Sequence, residues 1–551
     1  MSKAHPEGRA EVDAHSPSAK ESSGSTRGWR FWTIIGSLCI ACLLAAIEAT
    51  VISTALSSIV AELHIGDNYP WVVNAFMLTS AAVQPIYGQL ANLYGRRWII
   101  LSAIALLMLG SGICGGASNG EMLIAGRAIQ GIGGGGINML IELIICDLVP
   151  LRERPKFMGL TFALFSIGTS MGPFIGGSLV QGSSWRWVFY INLPVGGVSF
   201  ILLYLFFNVN YKRTTFKESM GRFDWVGSFL VVTSTTSILF ALTYGGARYR
   251  WSSWHVIVPL VLGLLGLVTF HAWEASPWVG DPLLPPHLFG NRTSVISFFA
   301  TFMQAFLFIW VIYFLPVYFQ GVLGSSPMRS GVQLLPTVVA MIPFAVVGAQ
   351  FVENTGRYKP VQFVSLALVA LGLGSFSLLQ ADSSMGMWVG LQILHIAGAG
   401  TITTALLPAI QASLTDADNA SSTAAASYVR SYGAIWGLTI PAAIFNNQFA
   451  KHVHWISDPK VQEFFSHGDA YSLGTKEFMS TISEPTRSEV VSVFVTSLRI
   501  TWIVAAAIAA GGTLLILLEK EVELRTELDT QFGLKTEKSD SVDEEGGKLA
   551  N

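Results

Sequence analysis

An ionisable side chain inside a long apolar run is costly to keep there, so each one is a candidate for function. This 551-residue chain holds few of them. Glu48 sits about two-thirds of the way along the first apolar run, and Arg127 sits in the outer third of the fourth. At about 1.5 Å of rise per residue, both lie roughly 8–12 Å from the same boundary. Two chemistries are open to such a pair. The carboxylate can bind a proton while the arginine is distant and release it as the arginine approaches, or the two can form a fixed ion pair between helices. Glu142, in the inner part of the same run as Arg127, either relays protons or braces a gate. Asp147, at the end of that run, is expected to tie down the basic loop that follows. Arg430 lies in the inner third of a later run, where it can serve the second half of the chain as Arg127 serves the first. His395 reads as a titrating group or a hydrogen-bonded packing residue.

Neutral polar residues at similar depth extend the set. Gln130 falls one turn from Arg127 on the same helix face. Asn74, Gln84, Asn138, Gln304 and Gln392 point either into a cavity or into helix–helix hydrogen bonds. Taken with Phe302, Phe306, Tyr313, Phe314 and Arg430, they suggest a cavity suited to a bulky, lipophilic, largely neutral compound. Its expected lining is Asn74, Gln130, Asn138, Gln304, Tyr313, Gln392 and Arg430. The run Gly131–Gly136 satisfies GxGxxG, but a dinucleotide fold requires a strand before it and an acid about twenty residues after it. Here it lies within an apolar run, where glycines serve close helix packing. The sequence offers no metal-ligand cluster and no nucleophile–base pair, so neither cofactor nor catalysis is expected.

Composition sets the medium. Half of the residues are hydrophobic and 12% are charged, against about a quarter charged in an ordinary soluble domain. The net charge is −2, which gives no reason to expect nucleic acid as a partner. Cys39, Cys42, Cys114 and Cys146 all fall in apolar runs and read as small packing residues. The first 28 residues lack an apolar segment after a basic start, so no cleaved signal peptide is expected.

A spanning helix needs about 20 mainly apolar residues. That ruler predicts fourteen spans: 31–56, 70–92, 98–118, 122–146, 156–180, 188–208, 224–244, 255–274, 295–319, 333–353, 360–380, 386–411, 422–446 and 494–518. With the N-terminus in the cytosol, the inner loops hold Arg96, Arg97, Arg152, Arg154, Lys156, Lys212, Arg213, Lys217, Arg222, Arg292, Arg357 and Lys359. The outer loops hold Arg186, Arg248, Arg250 and Arg329. Positive charge favours the cytosolic side, so both termini are expected there. The sequons at Asn291 and Asn419 then face the cytosol, and no glycosylation is expected.

An internal repeat divides the chain. Gln89–Arg96 (QLANLYGR) and Gln350–Arg357 (QFVENTGR) agree in spacing and residue type. Their offset is eight spans, as two six-helix halves separated by two extra helices would give, and paired halves are a mark of alternating-access transporters. The expected organisation is a disordered tail at 1–30, a first half at 31–208, a linker at 209–223 and two extra helices at 224–274. A linker at 275–294, a second half at 295–518 with an external loop at 447–493, and an acidic tail at 519–551 complete it.

These segments resemble the major facilitator superfamily, and in particular its fungal fourteen-spanner drug:proton antiporters, over roughly residues 30–535. Gly88–Arg97 resembles the family's cytosolic-loop signature, with Gly88, Asn92, Gly95 and Arg96 at its marked positions. Arg127-Ala-Ile-Gln130-Gly131 is similar to the helix-4 signature whose arginine is linked to proton coupling. Gly159, Gly168, Gly172-Pro173 and Gly176-Gly177 match the antiporter signature of helix 5, which marks exporters. Trp185–Pro194 is similar to a segment typical of fourteen-spanner members. A Gly-Pro pair also removes a backbone hydrogen bond and bends a helix. Two departures stand out. Glu48 replaces the usual Asp two residues before Thr50, and Asn92 replaces an acid, which weakens an inner-gate charge interaction that Glu353, with Arg357, retains in the second half.

The resemblance implies a monomeric plasma-membrane efflux pump, exchanging protons for a drug, toxin or secondary metabolite, with Glu48, Arg127 and Glu142 in proton coupling. Two alternatives are a proton-coupled vacuolar or plasma-membrane carrier of basic amino acids or siderophores, and a non-transporting receptor. A cationic substrate calls for several cavity carboxylates, and a receptor calls for a folded cytosolic signalling domain.

Overall fold

The computed structural model describes residues 28–65, 71–208, 220–245, 249, 251–466 and 476–525. The predicted tail over 1–27, Lys212, Arg213 and Lys217, Arg248 and Arg250, residues 467–475 of the predicted loop, and the acidic tail from 526 lie outside them.

The described chain is helical, with no strand. Its helices are α1 (Trp29–Leu63), α2 (Trp71–Ala82), α3 (Gln84–Tyr94), α4 (Arg96–Gly115), α5 (Gly120–Leu148), α6 (Arg154–Gly182), α7 (Trp187–Tyr190) and α8 (Asn192–Phe206). They continue as α9 (Trp225–Tyr244), α10 (Trp254–Glu274), α11 (Arg292–Val317), α12 (Pro327–Thr355), α13 (Lys359–Phe376), α14 (Met385–Thr403), α15 (Leu406–Gln411) and α16 (Asn419–His452). The last are α17 (Pro459–Ser466), α18 (Lys476–Thr481) and α19 (Thr486–Ile516). Twelve of the resulting segments are long and apolar enough to cross a membrane.

Two predicted spans fall outside those twelve, for physical reasons. The span at 70–92 is divided at Val83, where Pro85 has no N–H to donate to the carbonyl one turn back. The span at 422–446 is a 34-residue helix, α16, in which many small and polar residues lower the hydropathy. Prolines also mark other breaks: Pro194 follows the α7–α8 junction and Pro408 follows that between α14 and α15. The helices flanking segment 447–493 run into it, α16 to His452 and α19 from Thr486.

Close packing follows the glycines. In α5, a Cβ on Gly133 would fall 2.6 Å from the Ala103 carbonyl of α4, and one on Gly136 would strike the Tyr87 ring of α3. The GxGxxG run is thus a surface for helix contact. α1 through α8 form one bundle, α11 through α16 with α19 form another, and α9 and α10 pair with each other beside them. The pair joins the bundles through Thr235 Oγ1, 2.9 Å from the Tyr428 hydroxyl.

Candidate functional site

α1, α4, α5 and α8 bring Glu48, Ser111, Arg127, Gln130 and Asn192 together, each fully buried. Arg127 Nη1 donates to Glu48 Oε1 and also to Gln130 Oε1 at 2.9 Å. Its Nε donates to the Val72 carbonyl of α2 at 2.9 Å, and its guanidinium lies 4.5 Å from the centre of the Phe76 ring. Asn192 Nδ2 donates to Glu48 Oε2 and to Ser111 Oγ at 3.1 Å. Gln130 Nε2 donates to the same hydroxyl at 2.7 Å. The carboxylate therefore holds one charged and one neutral donor in a setting without solvent, where such bonds are strong and a lost partner is expensive.

The glycines of α6 press against the segment of α1 that carries this carboxylate. A Cβ on Gly168 would sit 2.7 Å from the Ala46 methyl, and one on Gly172 would collide with Thr50 Oγ1. Thr50 Oγ1 donates to the Thr169 carbonyl at 3.0 Å. Pro173 follows within α6, Gly176 is buried, and Gly177 faces open space.

A second charged pair spans the two bundles. Arg430 Nη2 of α16 donates to Glu142 Oε1 of α5 at 2.6 Å, and its guanidinium stands 5.6 Å from the Phe162 ring centre. Glu142, Arg430, Phe162, Thr301 and Thr403 line a cavity of about 10 Å³, close to the least that holds one water.

Beyond this pair the bundles are drawn together at the end that carries the basic loops. Arg154 is fully buried and donates to Gln411 Oε1 (2.6 Å), Asn419 Oδ1 (3.2 Å), Asp416 Oδ1 (3.5 Å) and the carbonyls of Cys146 (2.8 Å) and Val149 (3.1 Å). Arg152 donates to the carbonyls of Glu353 and Asn354, both at 2.8 Å. Gly88 packs on Ala424 of α16, leaving 2.6 Å for a Cβ. After α19 the chain turns back across this end. Lys359 donates to the Glu519 carbonyl at 2.5 Å, Tyr358 accepts from the Val522 N–H at 2.9 Å, and Leu524 packs with Leu151, Val352 and Ala409.

The loop signature is held differently in each half. Gly95 and Gly356 both take positive φ, 82° and 68°, where a side chain would strain the backbone. Arg96 is buried and bonds Asp147 Oδ2 at 2.8 Å and Asn92 Oδ1 at 2.9 Å. Asp147 therefore bonds the first residue of α4, while the charge of Arg154, from the basic loop after α5, also acts on it. Arg357 is exposed, and Glu353 contributes its carbonyl.

The other predicted residues are dispersed. Gln130 belongs to the Glu48 cluster. Gln304 donates to Thr403 Oγ1 at 3.2 Å, and Gln392 bonds Thr337 Oγ1 at 2.8 Å and the Gln333 carbonyl at 3.1 Å, between α12 and α14. Gln84 accepts from Ser431 at 3.0 Å. Asn74, Asn138 and Tyr313 are half-buried. His395 is fully buried beside the Phe376 ring. Asn291 caps α11, and Asn419 is buried against Arg154.

Sequence reasoning did not single out Asn192, Ser111 or the Arg154 hub. Asn192 was visible within Trp185–Pro194, and Arg154 enters the sequence reading only as one of the inner-loop positive charges.

A family model described as Major Facilitator Superfamily matches residues 38–438. The MFS-type transporter pydD of an Acremonium species is 47% identical over 94% of this chain and 91% of its own. The MFS efflux transporter aclA of Aspergillus oryzae is 44% identical over 95% and 96%. The efflux pump FUS6 of Gibberella fujikuroi is 43% identical over 94% of both. Among solved structures, the human organic anion transporter MFSD10 superposes with a TM-score of 0.58 at 12% identity, covering 89% of this chain and 100% of its own. The proton:xylose symporter XylE gives 0.54 at 15% identity, covering 82% and 96%.

Proposed function

The chain belongs to the major facilitator superfamily, and on that premise we propose that it is a proton-driven efflux transporter that expels amphipathic small molecules by alternating access. It is a transporter and not an enzyme, and relatives at 43–44% identity over nearly the whole chain carry the names efflux transporter and efflux pump. Glu48 carries the proton. The observation behind this is a carboxylate without solvent access whose charge is balanced, among the described residues, by Arg127. When α1 and α5 separate, the carboxylate loses that balance and takes up a proton; when they close, it gives the proton up.

Adding the α2–α3 pair and α16 to the twelve apolar segments gives fourteen crossings, arranged as halves 31–208 and 295–518 around the extra helices at 224–274. Both termini face the cytosol, and the protein works as a monomer in the plasma membrane. In that orientation the hydrogen bonds around Arg154 shut the cytosolic side, so this is the conformation that has closed behind its substrate. The 10 Å³ cavity at Glu142 and Arg430 marks the depth at which the route reopens.

A potential of ~100 mV supplies ~2.3 kcal/mol per proton, and one pH unit adds ~1.4 kcal/mol. Together they sustain roughly a 500-fold gradient of a neutral substrate at one proton each. The test is efflux from pump-deficient yeast loaded with lipophilic dyes, azoles and fungal metabolites, comparing wild type with Glu48→Gln, with and without a protonophore. Export lost in both the variant and the uncoupled cells supports the reading. Energy-dependent export that survives Glu48→Gln removes Glu48 from the coupling.

A further inference from the structure

A buried carboxyl that alternates between charged and neutral needs different partners in its two states. The carboxylate only accepts hydrogen bonds, whereas the acid must also donate one. Arg127 serves the first state alone, because a guanidinium has no acceptor. Two neighbours, Gln130 and Asn192, have both capacities; Gln130 is already committed to Arg127, Cys114 and Ser111, which leaves Asn192. Its Nδ2 donates to Glu48 Oε2 and to Ser111 Oγ, while its Oδ1 is buried with no hydrogen-bond partner. The break between α7 and α8 puts Asn192 at the first position of α8, with Pro194 two residues on.

We propose that Asn192 is a positioning residue that holds Glu48 in both protonation states by rotating its amide. With Glu48 charged, Nδ2 faces the carboxylate, as seen here. When a proton forms the O–H bond at Oε2, a half-turn of the amide presents Oδ1 to that new donor and to the Ser111 hydroxyl. Asn192 itself neither gains nor loses a proton. The turn exchanges one unpartnered amide atom, Oδ1, for the other, Nδ2, so neither state is favoured by that orphan alone. Ser111 fits this role because a hydroxyl both donates and accepts; it now accepts from Asn192 and from Gln130.

The surroundings keep the exchange local. Among described side chains, the charged group on Glu48 is Arg127 from α5, and the nearest other titratable one is the Cys114 thiol of α4, which shares Gln130. α6 meets this stretch of α1 with Gly168, Thr169 and Gly172, α2 offers the Val72 carbonyl, and α8 offers Asn192. The inference rests on Glu48 as the proton carrier.

The test uses the full chain in lipid nanodiscs with protons as the only ligand. Infrared difference spectra follow the carboxylic C=O band from about pH 4 to about pH 9, a window spanning the tails of shifted carboxyl groups. Glu48→Gln identifies the band. Asn192→Leu removes a donor from the carboxylate and an acceptor from the acid, so the midpoint is expected to stay within about one pH unit of wild type. The C=O band of the protonated form is expected to move to higher wavenumber, toward a carboxyl without a partner, and Asn192→Gln restores the band most of the way. Ser111→Ala, which leaves the amide in place, should move it less and in the same direction, and carries the test where Asn192→Leu does not fold. A protonated-form C=O band at the same wavenumber in these variants as in wild type overturns the role of Asn192 and leaves the proton carrier standing. A wild-type spectrum with no band lost in Glu48→Gln overturns both.

Discussion

The two halves share a loop signature and differ in their interiors. The first half buries a charged network, in which Glu48, Arg127, Gln130, Ser111 and Asn192 bond one another and leave Asn192 Oδ1 unpartnered. The second half buries rings: Trp310, Phe314, Tyr318, Phe376 and Trp502 are among its largest enclosed side chains, with neutral amides such as Gln392 between helices. Arg430 of the second half pairs with Glu142 of the first. The loops differ likewise, since Arg96 is sealed against Asp147 while Arg357 is exposed. A repeat thus preserves helix contacts and turn geometry while the chemistry becomes one-sided. In the function proposed above the first half responds to protons, and the second supplies an aromatic wall and the acceptors that the first half's arginines grip.

The largest expected effect tests that asymmetry directly. Arg127→Leu leaves Glu48 buried without its charge partner, and breaking a buried pair in this way costs about 3–5 kcal/mol. Gln392→Leu removes a neutral interhelical bond in the second half, and such bonds within membranes average about 0.6 kcal/mol. Thermal unfolding of the purified variants should rank them in that order by a wide margin. Comparable losses in both would mean that the second half depends on its polar contacts as much as the first does.

The loops offer the next comparison. Arg154→Met removes a fully enclosed guanidinium and its bonds to Gln411, Asn419 and Asp416, the last of which keeps Arg525, at a cost of about 3 kcal/mol by the same reasoning. Arg357→Ala alters an exposed side chain and should fall within about 0.5 kcal/mol of wild type. A cysteine placed at Ala409, fully buried at this end, should react with a maleimide at least tenfold faster in the Arg154→Met background and at an unchanged rate with Arg357→Ala. Equal rates in all three would deny Arg154 its part in the closure.

Much of this was legible in the residues, and the reasons are specific. Glu48 and Arg127 announced themselves because charge in an apolar run is rare, and helical rise alone matched their depths. The glycine run of α5 read as a packing surface because glycine has few other uses inside a spanning helix. What stayed hidden depended on distant contact. Arg154 looks like any loop arginine until α15 and the start of α16 close over it, and nothing local tells it apart from exposed Arg357. For Asp147, sequence proximity pointed to the loop after it, whose Arg154 does act on it, but not to the directly bonded Arg96, which helix packing delivers. α16 fell short as an apolar span because its small and polar residues face other helices and not lipid.

A smaller effect separates two glycines of one motif. Gly172 has no room for a Cβ beside Thr50, whereas Gly177 has open space. Gly172→Val should overpack the α1–α6 contact by about 1–3 kcal/mol and reduce dye export at least tenfold. Gly177→Ala should transport as wild type does. Equal losses would mean that the motif acts through backbone flexibility, since only flexibility treats the two positions alike.

The smallest effect concerns the segment that crosses the closed end after α19. Burial pushes the Glu519 carboxyl up to about 7 from an ordinary 4.5, against the opposing pull of the Ser297 hydrogen bond and the Lys359 charge. A carboxyl raised in the folded state favours folding while it is protonated. That contribution is complete below about pH 4.5, declines as pH rises toward 7, and is gone above it. The wild-type stability in detergent, followed by thermal unfolding, should therefore fall across that window by an amount on the order of 1–3 kcal/mol. Glu519→Gln, whose amide oxygen can still accept from Ser297, should flatten the decline. Because Glu519 sits where the second half hands this segment across to Leu151 and Arg152 of the first, a wild-type profile equally flat would mean that the carboxyl reaches water, and that the segment lies less tightly across the two halves than Lys359, Tyr358 and Leu524 hold it here.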